Sequence, residues 1–222
     1  SLVLGGAEVK LLEMVSAYGT LAAGGVRNAP YAIRRILDSR GRVLEERFPE
    51  GQQVLRPATA ATLTHVLEGV VQRGTGRRAR ALERPLAAKT GTTQDAADAW
   101  FLGYSPSLVA GVWIGYDTVR SLGPHETAAT LAAPIWMQFM RAALEGSPLE
   151  AFPVPDPLVP VTVNYYTGLP TYPQDPDAVT EYFLRGTEPR RATMGGAAAP
   201  LPPPAVAPLP PAPPATAAPA GP

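Results

Sequence analysis

Three strand-forming runs stand almost end to end in the middle of this chain, at residues 86–92, 99–105 and 108–116. The links between them hold six and two residues and are rich in Gln, Asp, Ser and Pro. A parallel neighbour needs a crossover of a dozen residues or more, so links this short leave antiparallel pairing as the economical arrangement. A sheet of this kind must be covered on its apolar faces, and the flanking segments carry the helical periodicity to do it. The fold class expected is therefore α+β, with helices packed on an antiparallel sheet.

Upstream, Val9, Leu12, Met14, Val15, Tyr18 and Leu21 recur at near-helical spacing over residues 7–21, with Gly24 and Gly25 as a stop. "YAIRRILDSRGRVLEERF" reads as a hairpin turning at "DSRGR", its charges suggesting solvent on one face. Pro57 suits a helical first turn, and Leu63, Val66, Leu67, Val70 and Val71 form an apolar stripe that Gly74 ends. "GTGRRARAL" reads as a flexible basic connection. Downstream, Leu131, Ile135, Trp136, Phe139, Met140 and Leu144 predict a helix over 127–144, in which Pro134 makes a kink or a new first turn. The chain then becomes proline-punctuated, with a strand pattern at "VTVNYY" and a small helix expected over 178–184. From Arg190 onward it is nearly all Ala, Pro and Gly with no acidic residue, too poor in buriable surface to offset the entropy of ordering. The organisation expected is a main body over 1–150, an extension over 151–189 and a disordered, polyproline-like tail over 190–222.

Several function classes are disfavoured at once. Lysine plus arginine and aspartate plus glutamate balance at 19 each, so there is no net field to draw nucleic acid, and none is expected as a partner. There is no cysteine, and the two histidines, His65 and His125, lie far apart, which argues against a zinc cluster. Apolar runs such as "LVAGVWIGY" are too short to span a bilayer. The opening at Ser1 reads as the middle of a domain, so the chain is expected to be a piece of a longer protein.

The chemistry concentrates in "LAAKTGTTQDAADAWFLGYSP". On a strand, Lys89 and Gly91 share one face while Thr90 and Thr92 share the other. If that strand is an edge, its free N–H and C=O groups can pair with an extended peptide, and a glycine lets the peptide come close. Lysine adds positive charge and the threonines add hydroxyl donors, a set suited to a carboxylate. Lysine and threonine are also ordinary residues for a solvated edge. A three-residue Lys-Thr-Gly match by chance in a chain of this length has odds of about one in twenty. Trp100, Phe101, Trp113 and Tyr116 are read chiefly as packing on the sheet rather than as a substrate wall. Asp98 and Asp117 are read as turn residues rather than catalysts.

Other segments make the motif more specific. "LGGAEVKLLEMVSAYGTLAAGGV", "VVQRGTGRRA", "AAKTGTTQDAADAWFLGYSPSLVAGVWIGYD", "AAPIWMQFM", "VNYYTGLPT" and "EYFLRGTEP" occur in an order and at a spacing that resemble the class A penicillin-binding proteins, in the later part of their transpeptidase domain. The resemblance covers almost everything before the tail. It implies the penicillin-binding protein and serine β-lactamase-like fold, and acyl transfer in which a serine attacks D-Ala-D-Ala of a peptidoglycan stem peptide. It implies no cofactor and no metal, with stem peptides and β-lactams as ligands. Carried over by position, Lys89 polarises the site and holds the substrate carboxylate. The N–H of Thr92 serves as one of two oxyanion donors. Thr90, Gly91 and Thr93 bind substrate beside them. Ala128 departs from the glycine-rich pattern that the family often shows there.

None of the seven serines is followed by lysine three positions on or begins an S-x-N triplet. The nucleophile is therefore expected upstream, together with a glycosyltransferase domain and an anchor on the outer face of the bacterial cytoplasmic membrane. The upstream remainder is thus itself an expected partner, and the tail is expected to meet other cell-wall synthesis proteins. The competing readings are a non-catalytic peptide- or partner-binding module of the same fold, and a β-lactamase-related serine hydrolase.

Overall fold

A computed structural model describes residues 8–93 and 96–190. The first helix, α1, spans Leu11–Ala22, starting later than the periodicity predicts because Lys10 before it is extended. Its start is set by Glu13, whose carboxylate accepts the Lys10 N–H at 2.8 Å and places negative charge on the first turn. At its end Gly24 and Gly25 take φ of 64° and 92°, and the Gly25 N–H donates to Thr20 C=O at 2.8 Å.

Strand β1 (Val26–Arg27) follows, then β2 (Arg35–Leu37) and β3 (Val43–Glu46), which form the expected hairpin, and then β4 (Gln52–Gln53), which pairs with β1. Asp38 builds the turn. Its carboxylate accepts the N–H of Arg40 and Arg42 and the Arg42 Nε, and these bonds, the Arg42 N–H first, hold its pKa below the usual carboxylate range. Solvent on one face was the expectation, yet Ile36, Leu37, Val43 and Leu44 are all exposed. Neither face of the hairpin is covered among the described residues.

Helix α2 spans Pro57–Gln72 with Pro57 in the first turn. Its buried residues are Ala58, Ala60, Thr64 and Val71, whereas Leu63 and Val66 of the predicted stripe are exposed. Small residues turn inward because the helix lies against the sheet. There the Thr64 hydroxyl shares a buried 2.9 Å hydrogen bond with that of Tyr104, whose phenol burial pushes up to about 12. The segment read as a flexible loop is instead a 3-10 turn, Arg77–Leu82. Ala79 is fully buried in it, and the Arg78 guanidinium donates to Ala129 C=O at 3.1 Å.

Strands β5 (Ala87–Thr92), β6 (Ala99–Tyr104) and β7 (Val109–Ile114) form an antiparallel sheet in that order. The two-residue alternation divides its faces. Ala88, Ala99, Phe101 and Ala110 meet helix α3 (Ala132–Ala143), in which Pro134 falls in the first turn rather than making a kink. On the opposite face Gly111 lies against Leu11 and Val15 of α1, and Tyr104 against Thr64 of α2. The sheet is thus sandwiched between helical layers. In α3 only part of the predicted stripe is inside: Trp136, Met140 and Leu144 are buried, while Ile135 and Phe139 are exposed.

The last two strands are β8 (Leu158–Asn164) and β9 (Ala178–Leu184), paired from Leu158↔Leu184 to Asn164↔Ala178. Residues 178–184 are therefore a strand, not the small helix expected. Val179, Thr180, Tyr182 and Phe183 are β-branched or aromatic, and a complete antiparallel partner lies opposite them. The tail expected from residue 190 onward falls, from residue 191, outside the described residues. No helix among the described residues is long and apolar enough to cross a membrane.

His65 joins α2 to β9. Its Nε2 lies 2.9 Å from Glu181 Oε2, at an angle poor for a hydrogen bond, and its Nδ1 lies 3.7 Å from Glu68 Oε2. The ring packs edge-on to Tyr182, and Arg73 reaches the other Glu181 oxygen at 3.5 Å. Glu68 first, and Glu181 after it, raise the imidazole pKa above 6.5 against the opposing effect of burial. A pKa raised in the folded state stabilises most below the unfolded value, and the gain is lost as pH rises through the folded value. The thermal midpoint of the chain should therefore fall as pH rises from about 6 to 8, and His65→Gln should flatten that slope. An unchanged slope in the variant would assign the dependence to other groups.

Candidate active site

The site residues read from the sequence all lie at one end of β5, and the alternation of the ladder decides what they present. Thr93 N–H donates to Asp98 C=O at 3.2 Å, continuing the register in which Thr92 faces Ala99 and Gly91 faces Trp100. Residues 93, 91 and 89 therefore spend their backbone groups on β6, and residues 92 and 90 point theirs to the side that carries no neighbouring strand among the described residues. The Thr92 N–H and the Thr90 C=O are rim groups.

Lys89 is exposed on the face that α2 covers further along, and its Nζ donates to the Thr90 C=O at 2.6 Å. The ammonium thus rests on the rim itself. On the other face the Thr90 hydroxyl shares a 2.7 Å hydrogen bond with the Thr75 hydroxyl, and Thr92 Oγ1 accepts the Ala128 N–H at 3.2 Å. Thr93 turns into the hairpin link, where its Oγ1 accepts the Asp98 N–H at 2.8 Å. Gly91 has a packing reason besides ligand approach: a Cβ there would stand 3.3 Å from the Trp100 Cβ.

Asp98 is a structural latch, as its reading as a turn residue anticipates. Besides its bonds to Thr93 it accepts the indole N–H of Trp113 at 2.8 Å, joining the β5–β6 link to β7. The aromatics divide. Phe101 is fully buried against Trp136, whereas Trp113 and Tyr116 are 39% and 41% exposed. Trp100 is half-buried and meets Trp113 at 6.2 Å between ring centroids on the face that carries Lys89. The packing reading therefore holds fully for Phe101 alone.

Ala128 is 1% exposed and belongs to the core beside α3, so its methyl fills space where the family pattern often has glycine. The loop before it passes through His125 at φ 69°, a left-handed conformation for a residue other than glycine. Two partners of the strand were not predicted from sequence: Thr75 and the Ala128 N–H. The first had a signal in its Gly-Thr-Gly setting; the second is a backbone group and has none. Chemically, the rim offers an N–H, a cation and hydroxyls along an unpaired strand edge, which suits an extended peptide ending in a carboxylate.

The sequence and the fold have known counterparts. The family model for the penicillin binding protein transpeptidase domain matches residues 4–141. The chain belongs to the penicillin-binding protein transpeptidase family. Penicillin-binding protein 1A of Aquifex aeolicus is 41% identical over 189 residues, covering 85% of this chain and 26% of that protein. The protein of the same description from Neisseria lactamica is 36% identical over 208 residues, covering 91% and 24%. Among solved structures, penicillin-binding protein 1A from Haemophilus influenzae superposes with a TM-score of 0.78 at 28% identity, over 86% of this chain and 34% of that one. The chain thus spans about a quarter of the length of the curated relatives it matches. Both relatives are 1A proteins, in keeping with the class A resemblance of the motifs. In this transpeptidase chain the Lys-Thr-Gly segment occupies an open strand edge, with Gly74–Thr75–Gly76 beside it.

Proposed function

We propose that this chain supplies the substrate-docking strand of a peptidoglycan D,D-transpeptidase. The observation that carries the reading is β5 itself: among the described residues its outer edge has no neighbouring strand, the Thr92 N–H points to that edge, the Lys89 ammonium rests on the Thr90 C=O there, and the Thr90 hydroxyl flanks it from the other face. A stem peptide pairs with that edge as an added strand, and Lys89 with Thr90 and Thr92 holds its terminal carboxylate. A serine outside these residues attacks the penultimate D-alanine carbonyl. Its Oγ–C bond forms, the peptide C–N bond breaks, and D-alanine leaves with the proton. An amine from a neighbouring stem peptide then takes the acyl group and frees the serine. The Thr92 N–H donates to the oxyanion of each tetrahedral intermediate. Gly91 and Thr93 shape the strand on either side.

On this reading residues 1–150 are the docking body, 151–189 an extension and 190–222 a tail for cell-wall synthesis partners. β-Lactams acylate the same serine, and the whole protein works on the outer face of the cytoplasmic membrane.

The test is labelling by a fluorescent penicillin. The full-length protein is expected to be labelled covalently, and the 222-residue chain, which has no Ser-x-x-Lys, is not. Labelling of the chain alone would overturn the need for that motif. A full-length protein that never labels would favour a non-catalytic docking module instead.

A further inference from the structure

Thr75 stands in a loop whose shape is dictated by the glycines on either side. Gly74 and Gly76 both donate their N–H to the same acceptor, Val70 C=O in the last turn of α2, each at 3.1 Å. The chain must fold back tightly on the helix end to do this. A Cβ at Gly74 would stand 3.0 Å from the Val70 Cα and carbonyl oxygen, and one at Gly76 would stand 3.3 Å from that oxygen. Neither position has comfortable room for a side chain, and Thr75 between them carries the only side chain of the three. Its hydroxyl reaches the Thr90 hydroxyl at 2.7 Å.

The other hydroxyl on that face of β5 is held independently, since Thr92 Oγ1 accepts the Ala128 N–H at 3.2 Å. The two holding segments are themselves tied, because Arg78, three residues beyond Thr75, donates to Ala129 C=O at 3.1 Å. Both threonines of the docking strand are thus oriented from outside the strand by a linked frame. Of the two hydrogen bonds described from the frame to β5, the one from Thr75 is made by a side chain and the other by a backbone N–H, so the first is the one that substitution can remove cleanly.

We infer that Thr75 is a positioning residue for the docking strand: its hydroxyl, fixed by the glycine fold-back on α2, holds the Thr90 hydroxyl and with it the rim segment on which Lys89 rests. A freely rotating Thr90 hydroxyl can turn toward the backbone or toward solvent. A held one presents the same lone pair or proton to every incoming carboxylate, which lowers the ordering cost of binding. The inference rests on the proposed transpeptidase reading and adds to it a residue outside the Lys-Thr-Gly segment.

The experiment measures acylation of the full-length protein by a fluorescent penicillin, resolved into the binding constant and the acylation rate constant. Thr75→Val keeps the branched shape and removes the hydrogen bond. It is expected to lower the second-order acylation rate about tenfold, mostly through weaker binding. Thr75→Ser should restore the rate to within about twofold. In a Thr90→Val background the Thr75→Val change should have no further effect, because its only route is through the Thr90 hydroxyl. If valine at 75 disturbs the loop, seen as a lowered thermal midpoint, Thr75→Cys against Thr75→Ser gives the same comparison at matched size. Wild-type acylation in Thr75→Val, or losses that multiply in the double variant, would overturn the inference. Lys89→Ala separates this failure from that of the reading beneath it. If Lys89→Ala abolishes labelling while Thr75→Val does not reduce it, only the role of Thr75 falls. If Lys89→Ala labels normally, the docking reading itself falls.

Discussion

Replacing Lys89 by alanine in the full-length protein should, on the proposed docking reading, lower penicillin acylation by about a hundredfold or more, the range for removal of one preorganised electrostatic group from an acyl-transfer site. The fold should barely notice. Lys89 is exposed, and among the described residues it makes no ion pair and its Nζ bonds only to the carbonyl of the next residue. The thermal midpoint should therefore stay within about 2 °C, as for surface positions generally. Lys89→Arg is the sharper variant, because it keeps the charge. The guanidinium is a planar fork on a longer stem and cannot sit as a compact charge 2.6 Å from the Thr90 carbonyl. It should recover only a small part of the lost rate. Full recovery by arginine would mean that Lys89 contributes long-range field alone and that its place on the rim is incidental. Rates measured at two ionic strengths decide the same point, since a field effect weakens with salt and a direct contact in a closed site does much less so.

The face assignment behind this expectation was legible from the sequence, and the reason is instructive. Along 86–92 the period of two is enforced by the geometry of a strand, so Lys89 and Gly91 had to part from Thr90 and Thr92. The short links fixed antiparallel order in the same local way. Where the sequence misled, the deciding influence lay in another part of the chain. Leu63 and Val66 continue an apolar helical pattern, yet the side of α2 that is buried carries Ala58, Ala60, Thr64 and Val71, with Thr64 bonded to Tyr104 of the sheet. A short segment such as 178–184 carries no strong period of its own, and its pairing with the strand at 158–164, itself legible in part at "VTVNYY", decides the conformation. The basic stretch after Gly76 looked like solvated linker, but Ala79 at its centre is buried and the arginines on either side reach outward. Gly91 was legible in identity and only half legible in cause, since its crowding by Trp100 is a cross-strand fact. The contacts of Thr75 and of the Ala128 N–H join segments 15 and 36 residues from their partners in β5. No local pattern encodes such distances.

Trp136→Ala should be the most destabilising substitution in the described core. The side chain is fully buried and is the largest of those fully buried among the described residues. Its ring lies 4.9 Å from that of Phe101, and its indole N–H donates to Ala110 C=O at 3.0 Å. Gly103 shows how closely the sheet fits beneath it, because a Cβ there would stand 2.7 Å from the Trp136 Cζ2. Truncation removes the buried indole and leaves the Ala110 carbonyl without that donor, in a cavity the rigid sheet cannot close. The cost expected is about 3–5 kcal/mol, read as a lower urea midpoint at an unchanged m value. In a body of this size that corresponds to a thermal midpoint lower by about 10 °C or more. Trp136→Phe, which keeps most of the apolar volume, should cost less than half as much. The position also bears on the site. The segment leading into α3 carries Ala128, whose N–H holds the Thr92 hydroxyl. Loosening α3 should therefore slow acylation as well, but in proportion to the fraction unfolded and with recovery on cooling. Lys89→Ala should show neither dependence. A Trp136→Ala protein that kept its stability would mean that the sheet face is covered by something other than α3, and the sandwich described for this fold would be wrong.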